Sequence, residues 1–191
     1  MILAFDATAG ECAAALFDGD RLVSEKSETM EKGHAERLFP LVEEMLSDAG
    51  LAYANLTAIA CVTGPGNFTG ARIAVAAARG LALSLKILAV GVDRFEAAAD
   101  GVSGDALIRL QARGGAVHEA RIADGALTGE AETMQPEETS LSIIAPVRTD
   151  LRAVAAIARK RLASRDAPRP APRYLKPANA APGAAPPPLL P

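Results

Sequence analysis

The segment TGPGNFTGARIA, residues 63–74, contains residue types that bind phosphate groups. Gly64 and Gly66 can adopt positive φ angles and let a ligand approach the backbone. Asn67 or Thr69 can cap the helix predicted to follow, and a helix N-terminus attracts anions. The segment has neither the lysine of a Walker A loop nor the G-x-G-x-x-G spacing of a dinucleotide-binding loop. A nucleotide cradle and a structural strand-to-helix turn therefore remain alternative interpretations.

Two side chains near the N-terminus could contribute to such a site. Asp6 ends the first predicted strand, and Thr8 follows two residues later. This placement resembles that in actin-like and sugar-kinase-like ATPases, where an acid contacts phosphate and magnesium, but an acid that only caps a turn gives the same pattern. With Gly64, Gly66 and Asn67, these two residues are the candidate cofactor-binding residues of a degenerate cleft.

The histidines do not form a recognisable metal motif. His34 lies one helical turn before Leu38 on the apolar stripe of a predicted helix, and the other histidine, His118, lies in a different region. Metal sites on helices often pair histidines at i and i+4, where this chain has leucine. The nucleophile signature GxSxG and the zinc signature HExxH are also absent. The sequence therefore predicts no metal site and no catalytic residue.

The predicted elements place the glycine segment between a strand and a long helix. Hydrophobic periodicity predicts the order βββ-α-β-α-β-α, over residues 2–8, 12–28 (a hairpin), 34–50, 56–63, 70–85, 87–90 and 93–100. Pro40 is awkward inside a helix, so the first helix either begins near Phe39 or starts earlier and is kinked. Three further elements are predicted: a hairpin turning at Gly114-Gly115, a strand at 142–147 and a basic helix capped by Asp150.

Composition divides the chain into three parts. We predict a first lobe over residues 1–100, a smaller lobe over 101–165 and a Pro/Ala-rich tail over 166–191. Nine of the 13 prolines lie in residues 168–191, and such a composition is typically extended or disordered beyond about Asn179. The order of strands and helices indicates an α/β architecture with a mixed sheet.

Charge and cysteine content exclude few functions. The chain has 20 Lys or Arg and 23 Asp or Glu, a net charge of −3. Nine of those basic residues and only two acids lie in 148–176, which indicates either a solvated helix face with a basic linker or a surface that contacts a polyanion. Cys12 and Cys61 have the apolar surroundings of buried free thiols. The sequence predicts a cytoplasmic protein with no signal peptide and no membrane span.

Four segments occur in the order found in one known family. ILAFDAT…CAAAL, HAERLFPLVEEML, TGPGNFTGARIAVAAARGLA and PRYLK resemble the TsaB (YeaZ) family of bacterial tRNA threonylcarbamoyladenosine biosynthesis proteins. The resemblance is dense over residues 1–100, thin over 101–165 and present again at Tyr174-Leu175, which we expect to pack back on the body. It implies an α/β, actin-like (ASKHA, ribonuclease H-like) two-lobe fold, with mixed sheets flanked by helices and a reduced second lobe.

The resemblance also implies a function. It is that of a non-catalytic subunit of the complex that makes threonylcarbamoyladenosine next to the anticodon of tRNA. In this family the catalytic subunit is a paralogue, TsaD, which carries a paired-histidine metal motif where this chain has His34 and Leu38. The implied partners are this paralogue in a heterodimer, a TsaE-type ATPase and, through the complex, tRNA. The chain itself then needs no cofactor, ATP or ADP is a ligand of the complex interface, and the isolated chain can form a homodimer.

The family's dimer packs helices of two N-terminal lobes into a bundle, and the corresponding helices here are 34–49 and 70–85. A bulky charge at Val75 or Ala77 is therefore expected to abolish partner binding without unfolding the chain. The residues that the resemblance assigns to the interface are His34, Arg37, Leu38, Leu41, Val42, Met45, Arg72, Ile73, Val75, Ala77 and Arg79.

Two other functions remain open from the sequence. The chain could be an active actin-like ATPase or a metal-dependent hydrolase that acts on its own, which would require nucleotide turnover or a bound metal. It could also bind RNA directly through its basic segment, with Arg159, Lys160 and Arg161 as the tRNA contacts. Direct RNA binding predicts a steep loss of affinity with salt.

Overall fold

Two β-sheets organise the chain in this computed structural model, which describes residues 1–175. The predicted extended or disordered stretch beyond Asn179 lies outside the described residues. The elements are β1 (Ile2–Asp6), β2 (Glu11–Asp18), β3 (Arg21–Thr29), α1 (His34–Asp48), β4 (Ala58–Val62), α2 (Phe68–Leu85), β5 (Leu88–Val92), α3 (Arg94–Ala99), β6 (Ala106–Gln111), β7 (Val117–Ala123), β8 (Ala126–Met134), β9 (Ser142–Ile144) and α4 (Leu151–Ser164).

The first sheet has the strand order β3-β2-β1-β4-β5. β1 is antiparallel to β2 and parallel to β4, which is parallel to β5, so the sheet is mixed as predicted. Alternate side chains of a strand point to opposite faces. Leu3 and Phe5 accordingly join the core beneath α1 and α2, while Ile2 and Ala4 join the core beneath α4. Burial on both faces explains why β1 is a continuous apolar run up to Asp6.

The first helix starts early and continues through its proline. α1 begins at His34, directly after Gly33, whose φ of 90° is a conformation that favours glycine. Pro40 removes one backbone hydrogen bond, at a cost of about 3 kcal/mol in a helix interior. Fully buried side chains such as Leu38 and Leu41 contribute about 1.5–3 kcal/mol each. Burial of the apolar face therefore outweighs the cost of the proline.

The last helix does not belong to the second lobe, contrary to the predicted boundaries of 101–165. α4 packs on the face of the first sheet opposite α1 and α2. Its Ala153, Val154, Ala155 and Ala158 are buried there, because small side chains let the helix approach the strands closely. The predicted N-cap is confirmed: the Asp150 carboxylate accepts a hydrogen bond from the backbone N–H of the second helical residue at 2.8 Å.

The second sheet has the order β8-β7-β6-β9 and is the whole second lobe apart from its connections. β6 and β7 form the predicted hairpin, with Gly114 and Gly115 in its turn. β8 was not predicted, because most of its side chains are exposed and it lacks a buried apolar alternation. α3 covers this sheet through Phe95, which packs with Ile108 and Ile122.

One helix of residues 1–175, α2, is long and apolar enough to cross a membrane by length and composition alone. Core helices of folded domains meet the same criterion. Six residues of α2 are buried in this fold: Gly70, Ala71, Ala74, Val75, Ala78 and Ala82. The helix is therefore accounted for by its packing on the first sheet.

Candidate functional site

The glycines of the segment 63–74 let its backbone pack against the turn that follows β1. A Cβ atom on Gly66 would lie less than 3.0 Å from the carbonyl oxygen of Thr8. A Cβ atom on Gly70 would lie equally close to the carbonyl oxygen of Ala7, nearer than side-chain carbons approach in proteins. The backbone N–H of Asn67 donates to the Thr8 carbonyl oxygen at 2.7 Å. These two glycines are explained by contact between two stretches of backbone.

Three N–H groups in the first turn of α2 are bonded within the chain. The Asn67 side-chain oxygen accepts from the N–H of Thr69 at 3.0 Å and of Gly70 at 3.3 Å. The Asn67 carbonyl oxygen accepts from the N–H of Ala71 at 2.9 Å. A phosphate at a helix N-terminus would need such donors free. The nucleotide contacts predicted at Gly66 and Asn67 are therefore corrected: the first is a packing position and the second is a helix cap.

Asp6 lies at the junction of the two lobes and is fully buried. Its Oδ1 accepts from the backbone N–H and from the hydroxyl of Thr8, each at 2.6 Å. Its Oδ2 accepts from the hydroxyl of Thr149, also at 2.6 Å, from the segment that returns from the second lobe to α4. Buried carboxylates need such partners. Asp6 and Thr8 thus join β1 to that returning segment, and neither is open to a ligand.

A buried arginine lies near this acid. Arg94 starts α3, is 5% exposed and donates to the Pro65 carbonyl oxygen at 3.4 Å. Burial lowers the pKa of its guanidinium, against the attraction of Asp6 and Glu11. Burial is the larger cause of a raised pKa at the Glu11 carboxyl, and repulsion from Asp6 is the smaller one. The positive charges of Arg148 and Arg94 oppose this rise. Arg94 therefore supplies a cation inside the cleft from the chain itself.

These residues do not fit a bound magnesium nucleotide. The carboxylate expected to approach the metal is fully buried and accepts from three donors of the chain, and the loop expected to hold phosphate is packed against the turn after β1. A paired-histidine metal site does not fit either, because Leu38 at the i+4 position from His34 is buried in the core. Residues 1–175 contain no group of three or more His, Cys, Asp or Glu side chains placed to hold a metal ion.

Residues 168–175, called the strap below, cross the carboxyl ends of β4 and β5. The backbone N–H of Arg173 donates to the Thr63 carbonyl oxygen at 2.9 Å, and its guanidinium pairs with Asp93. A Cβ atom on Gly64 would lie 3.0 Å from the Arg173 carbonyl oxygen, so Gly64 leaves room for the strap. The predicted contact of Tyr174-Leu175 with the body is present: Tyr174 binds α2, and Leu175 packs on the second-lobe core. Gly64 is thus a strap contact and not a phosphate contact.

The structure corrects about half of the predicted partner interface. An amphipathic helix first buries its apolar stripe in its own domain, and most of the predicted interface residues belong to that stripe. Arg72 and Arg79 are exposed, and Ile73 and Ala77 are half-buried, so these four predicted residues do reach the surface. The predicted residues that lie instead in the core of this chain are His34, Leu38, Leu41, Val42, Met45 and Val75.

The outward surfaces of α1 and α2 lie side by side and form one continuous face, called the two-helix face below. Phe39 on α1 is 40% exposed and Leu83 on α2 is 79% exposed, an unusual exposure for large apolar side chains. Ala76 and Gly80 lie between the exposed positions of α2 and leave its backbone open to close approach. In the sequence these residues are the helical positions outside the apolar stripe, so helical periodicity alone could have identified them.

The charges of the two-helix face are segregated. Glu36 and Glu43 are exposed on α1, whereas Arg72 and Arg79 are exposed on α2. None of the four forms an ion pair within residues 1–175. Such a face is complementary to a similar face turned by a two-fold rotation, because the acidic helix then meets the basic one. The arrangement therefore suits a protein of related fold as partner.

Arg37, also predicted to contact the partner, is used within the chain. Its guanidinium donates to Glu28 on β3 and to Glu44 one turn further along α1, the latter at 2.6 Å. Lys26 adds contacts to Glu44 and to Asp48, the second at 2.8 Å. Arg37 thus connects the edge strand β3 to α1, and its role is corrected from partner contact to intramolecular bridge.

This bridge predicts a pH dependence of stability. Hydrogen bonds from Arg37 lower the pKa of Glu44 from 4.5 to about 2. A lowered carboxyl pKa contributes stability that is present above about pH 4.5 and is lost as the pH falls towards 2. Arg37→Gln should lower the urea midpoint at pH 7, and the difference from the parent protein should vanish near pH 2. Arg21→Gln is the control, because Arg21 and Asp18 are well exposed and 3.5 Å apart. A pH-independent difference for Arg37→Gln would contradict the assignment.

The three predicted tRNA contacts are each paired with an acid. Arg159 pairs with Asp20, and Lys160 lies 3.2 Å from Asp100. Arg161 pairs with Glu96 and donates to a carbonyl oxygen of β5. These three ion pairs hold α4 against neighbouring segments and neutralise the positive charges that would otherwise attract RNA. The basic helix is therefore better explained as a structural element than as a nucleic-acid surface.

The two cysteines are also structural. Burial raises the pKa of Cys12 to about 11 and that of Cys61 to about 12. The thiolate is the reactive form of cysteine, and it is scarcely populated at neutral pH with such values. Both are free and buried, as the sequence predicted, and neither is placed to act as a nucleophile.

Comparison with known proteins decides the family. Residues 23–122, more than half of the chain, match the family model described as TsaD: tRNA N6-adenosine threonylcarbamoyltransferase. The chain belongs to the TsaD family. The predicted resemblance to TsaB (YeaZ) proteins is confirmed by curated relatives that carry the name tRNA threonylcarbamoyladenosine biosynthesis protein TsaB.

Two TsaB relatives illustrate the extent of the match. TsaB of Escherichia coli K12 is 35% identical over 100 residues, which cover 52% of this chain and 43% of the relative. TsaB of Bacillus subtilis is 37% identical over 120 residues, which cover 61% and 52%. The chain therefore spans about half the length of the curated TsaB proteins that it matches.

A solved structure extends the likeness to nearly the whole fold. YeaZ from Pseudomonas aeruginosa superposes with a TM-score of 0.75 at 24% identity, covering 91% of this chain and 99% of that one. The predicted two-lobe α/β fold, with mixed sheets flanked by helices, is thereby confirmed. The family match, over residues 23–122, includes both helices of the two-helix face.

Proposed function

We propose that this chain is a non-catalytic subunit in the formation of threonylcarbamoyladenosine on tRNA, and that it acts by binding the catalytic TsaD-type paralogue. One observation carries the proposal. The position at which the catalytic paralogue is expected to have its second metal-binding histidine is occupied by Leu38, which is packed in the core. A chain of this family without that ligand keeps the fold but lacks the means to hold the metal.

The state of the cleft supports the same function. A nucleotide-dependent enzyme needs an accessible acid and free backbone donors at its phosphate loop. In this chain the Asp6 carboxylate and the N–H groups of Asn67 and of residues 69–71 are bonded internally. The chain therefore needs no cofactor of its own under this proposal, and any ATP or ADP is bound elsewhere in the complex, with a TsaE-type ATPase.

The two-helix face provides the surface for the partner. It combines exposed apolar side chains with segregated acidic and basic residues, as described above. A paralogue of the same fold presents the corresponding pair of helices, so the two proteins pack as a four-helix bundle. The same complementarity explains why the isolated chain is also expected to form a homodimer at high concentration.

Reconstitution tests the proposal directly. Threonylcarbamoyl transfer to tRNA is measured with the catalytic paralogue, the ATPase subunit and the threonylcarbamoyl-adenylate synthase, with and without this chain. We expect modification only when the chain is present, and no ATP hydrolysis by the chain alone. The His34→Asn variant distinguishes a non-catalytic subunit from a catalytic one. If the chain is non-catalytic and the variant keeps its melting temperature, tRNA modification by the reconstituted complex should stay within about threefold of the parent value. Modification that is unaffected by omission of the chain would disprove the function. A folded His34→Asn variant that binds the paralogue but is inactive would indicate catalysis instead.

A further inference from the structure

Three side chains form a cluster at the first turns of α2, called the aromatic–arginine cluster below. The guanidinium carbon of Arg72 lies 3.9 Å from the ring centroid of Phe68, and its Nε donates to the Tyr174 hydroxyl at 2.8 Å. The ring centroids of Phe68 and Tyr174 are 4.7 Å apart. Phe68 is 39% exposed and Tyr174 is 41% exposed, so the cluster is both ordered by mutual contacts and open to solvent.

The arginine of this cluster differs from the paired arginines of the chain. Arg37, Arg109, Arg159, Arg161 and Arg173 each contact a carboxylate. Arg72 contacts none within residues 1–175, and only its Nε is used there. Its two terminal nitrogens, which together form the fork that binds a carboxylate in bidentate fashion, are left without a described partner. The cluster therefore presents a fixed cation over the Phe68 ring and beside Tyr174.

The strap fixes the position of Tyr174 before any partner arrives. Arg173, the residue before it, is held by the backbone bond to Thr63 and by the ion pair with Asp93, and its guanidinium carbon lies 5.6 Å from the Phe95 ring centroid. Leu175, the residue after it, packs on the second-lobe core. Side chains that are already ordered lose little entropy on binding, which favours affinity.

We infer that the aromatic–arginine cluster anchors the catalytic paralogue by receiving one of its carboxylates, an inference that rests on the proposed function. The cluster continues the exposed surface of α2, because Arg72 belongs to both. Tyrosine and arginine are enriched among the residues that dominate binding energy at interfaces. The strap, which is not part of the two-helix face, thereby becomes part of the partner interface.

A carboxylate of a protein suits the cluster better than a phosphate of RNA. The adjacent helix α1 presents Glu36 and Glu43 to the same side, and the chain has a net charge of −3. A polyanion would be repelled by these charges, whereas a single carboxylate meets only the Arg72 fork. The flanking rings exclude water from that contact and so strengthen it.

The test compares affinities for the purified paralogue by calorimetry at two salt concentrations. Arg72→Gln and Arg72→Lys should each weaken binding about 30-fold or more, because lysine keeps the charge but not the fork. Tyr174→Phe should weaken it about threefold to tenfold by releasing one anchor of the guanidinium. Arg152→Gln is the matched control, because Arg152 is an exposed arginine of α4, on the opposite face of the first sheet, and it should change affinity by less than about twofold. Circular dichroism melting verifies that each variant is folded.

The outcomes separate this inference from the proposed function. If the parent chain binds the paralogue and Arg72→Gln and Arg72→Lys bind equally well, the anchor is wrong and the proposed function stands. If the parent chain does not bind the paralogue, the proposed function and the aromatic–arginine anchor are both disproved. If Arg72→Gln instead loses affinity only for a single-stranded RNA probe in the same assay, the occupant is a phosphate, and the inference of a protein carboxylate is overturned.

Discussion

Replacing Gly70 with alanine is expected to destabilise the chain by at least about 3 kcal/mol, a large fraction of the stability of a typical domain. The added Cβ would lie 2.8 Å from the carbonyl carbon of Ala7 and closer still to its oxygen. Neither group can move aside without shifting β1 or the start of α2, because both belong to backbone. Urea unfolding monitored by circular dichroism measures the loss.

Gly80→Ala is the matched control in the same helix. No atom lies within 4 Å of a Cβ at Gly80, and its φ is not in the left-handed region. Alanine is favoured over glycine in a helix interior by about 0.5–1 kcal/mol, so this variant should be more stable than the parent protein. Equal stabilities for Gly70→Ala and Gly80→Ala would show that the glycine segment is not packed against the turn after β1.

Ala76→Glu is expected to abolish association with the catalytic paralogue, with a loss of at least about 100-fold in affinity, and with it tRNA modification in the reconstituted system. Ala76 is exposed on α2, so the larger side chain would prevent close packing of a partner helix while meeting only solvent and its own helix in the isolated chain. The isolated chain should keep its stability within about 1 kcal/mol. Co-purification with a tagged paralogue and unfolding of the isolated chain are the two measurements.

Two comparison variants define what this result means. Ala163→Glu makes the same change at an exposed position of α4, on the opposite face of the first sheet, and should leave association intact. Val75→Asp should unfold the isolated chain, because Val75 is 4% exposed and packed in the core. The sequence had predicted Val75 as a site where a charge spares the fold, and its burial corrects that prediction. Undiminished binding by a folded Ala76→Glu variant would exclude α2 from the interface.

The family assignment depended on local sequence and could be made without coordinates. The block TGPGNFTGARIA carries its specificity in residues whose roles are short-range. Asn67 caps the first turn of α2, and Gly66 and Gly70 permit contact with a neighbouring segment. Such constraints act on a few consecutive residues, so they can be recognised in the sequence as a motif. The absence of a metal ligand at Leu38 could also be recognised from the sequence, because residues at i and i+4 are neighbours on any helix.

The choice between a phosphate cradle and a structural turn could not be made from the motif. Both need glycine at the same positions. What distinguishes them is where the backbone donors and the Asp6 carboxylate find partners, and those partners include Thr149, which is 143 residues away. A hydrogen bond over that distance leaves no periodicity in the sequence that would reveal it.

The sequence by itself determined the class of fold, the helix cap at Asp150, the buried thiols and the family. The tertiary structure alone decided which surfaces are available. It placed α4 on the first sheet, used Arg37 and Arg161 in intramolecular ion pairs, and brought Tyr174 to Arg72. The physical reason is that hydrophobic periodicity reports which side of a helix is buried but not what buries it. Whether a stripe faces its own core or a partner depends on residues distant in the chain.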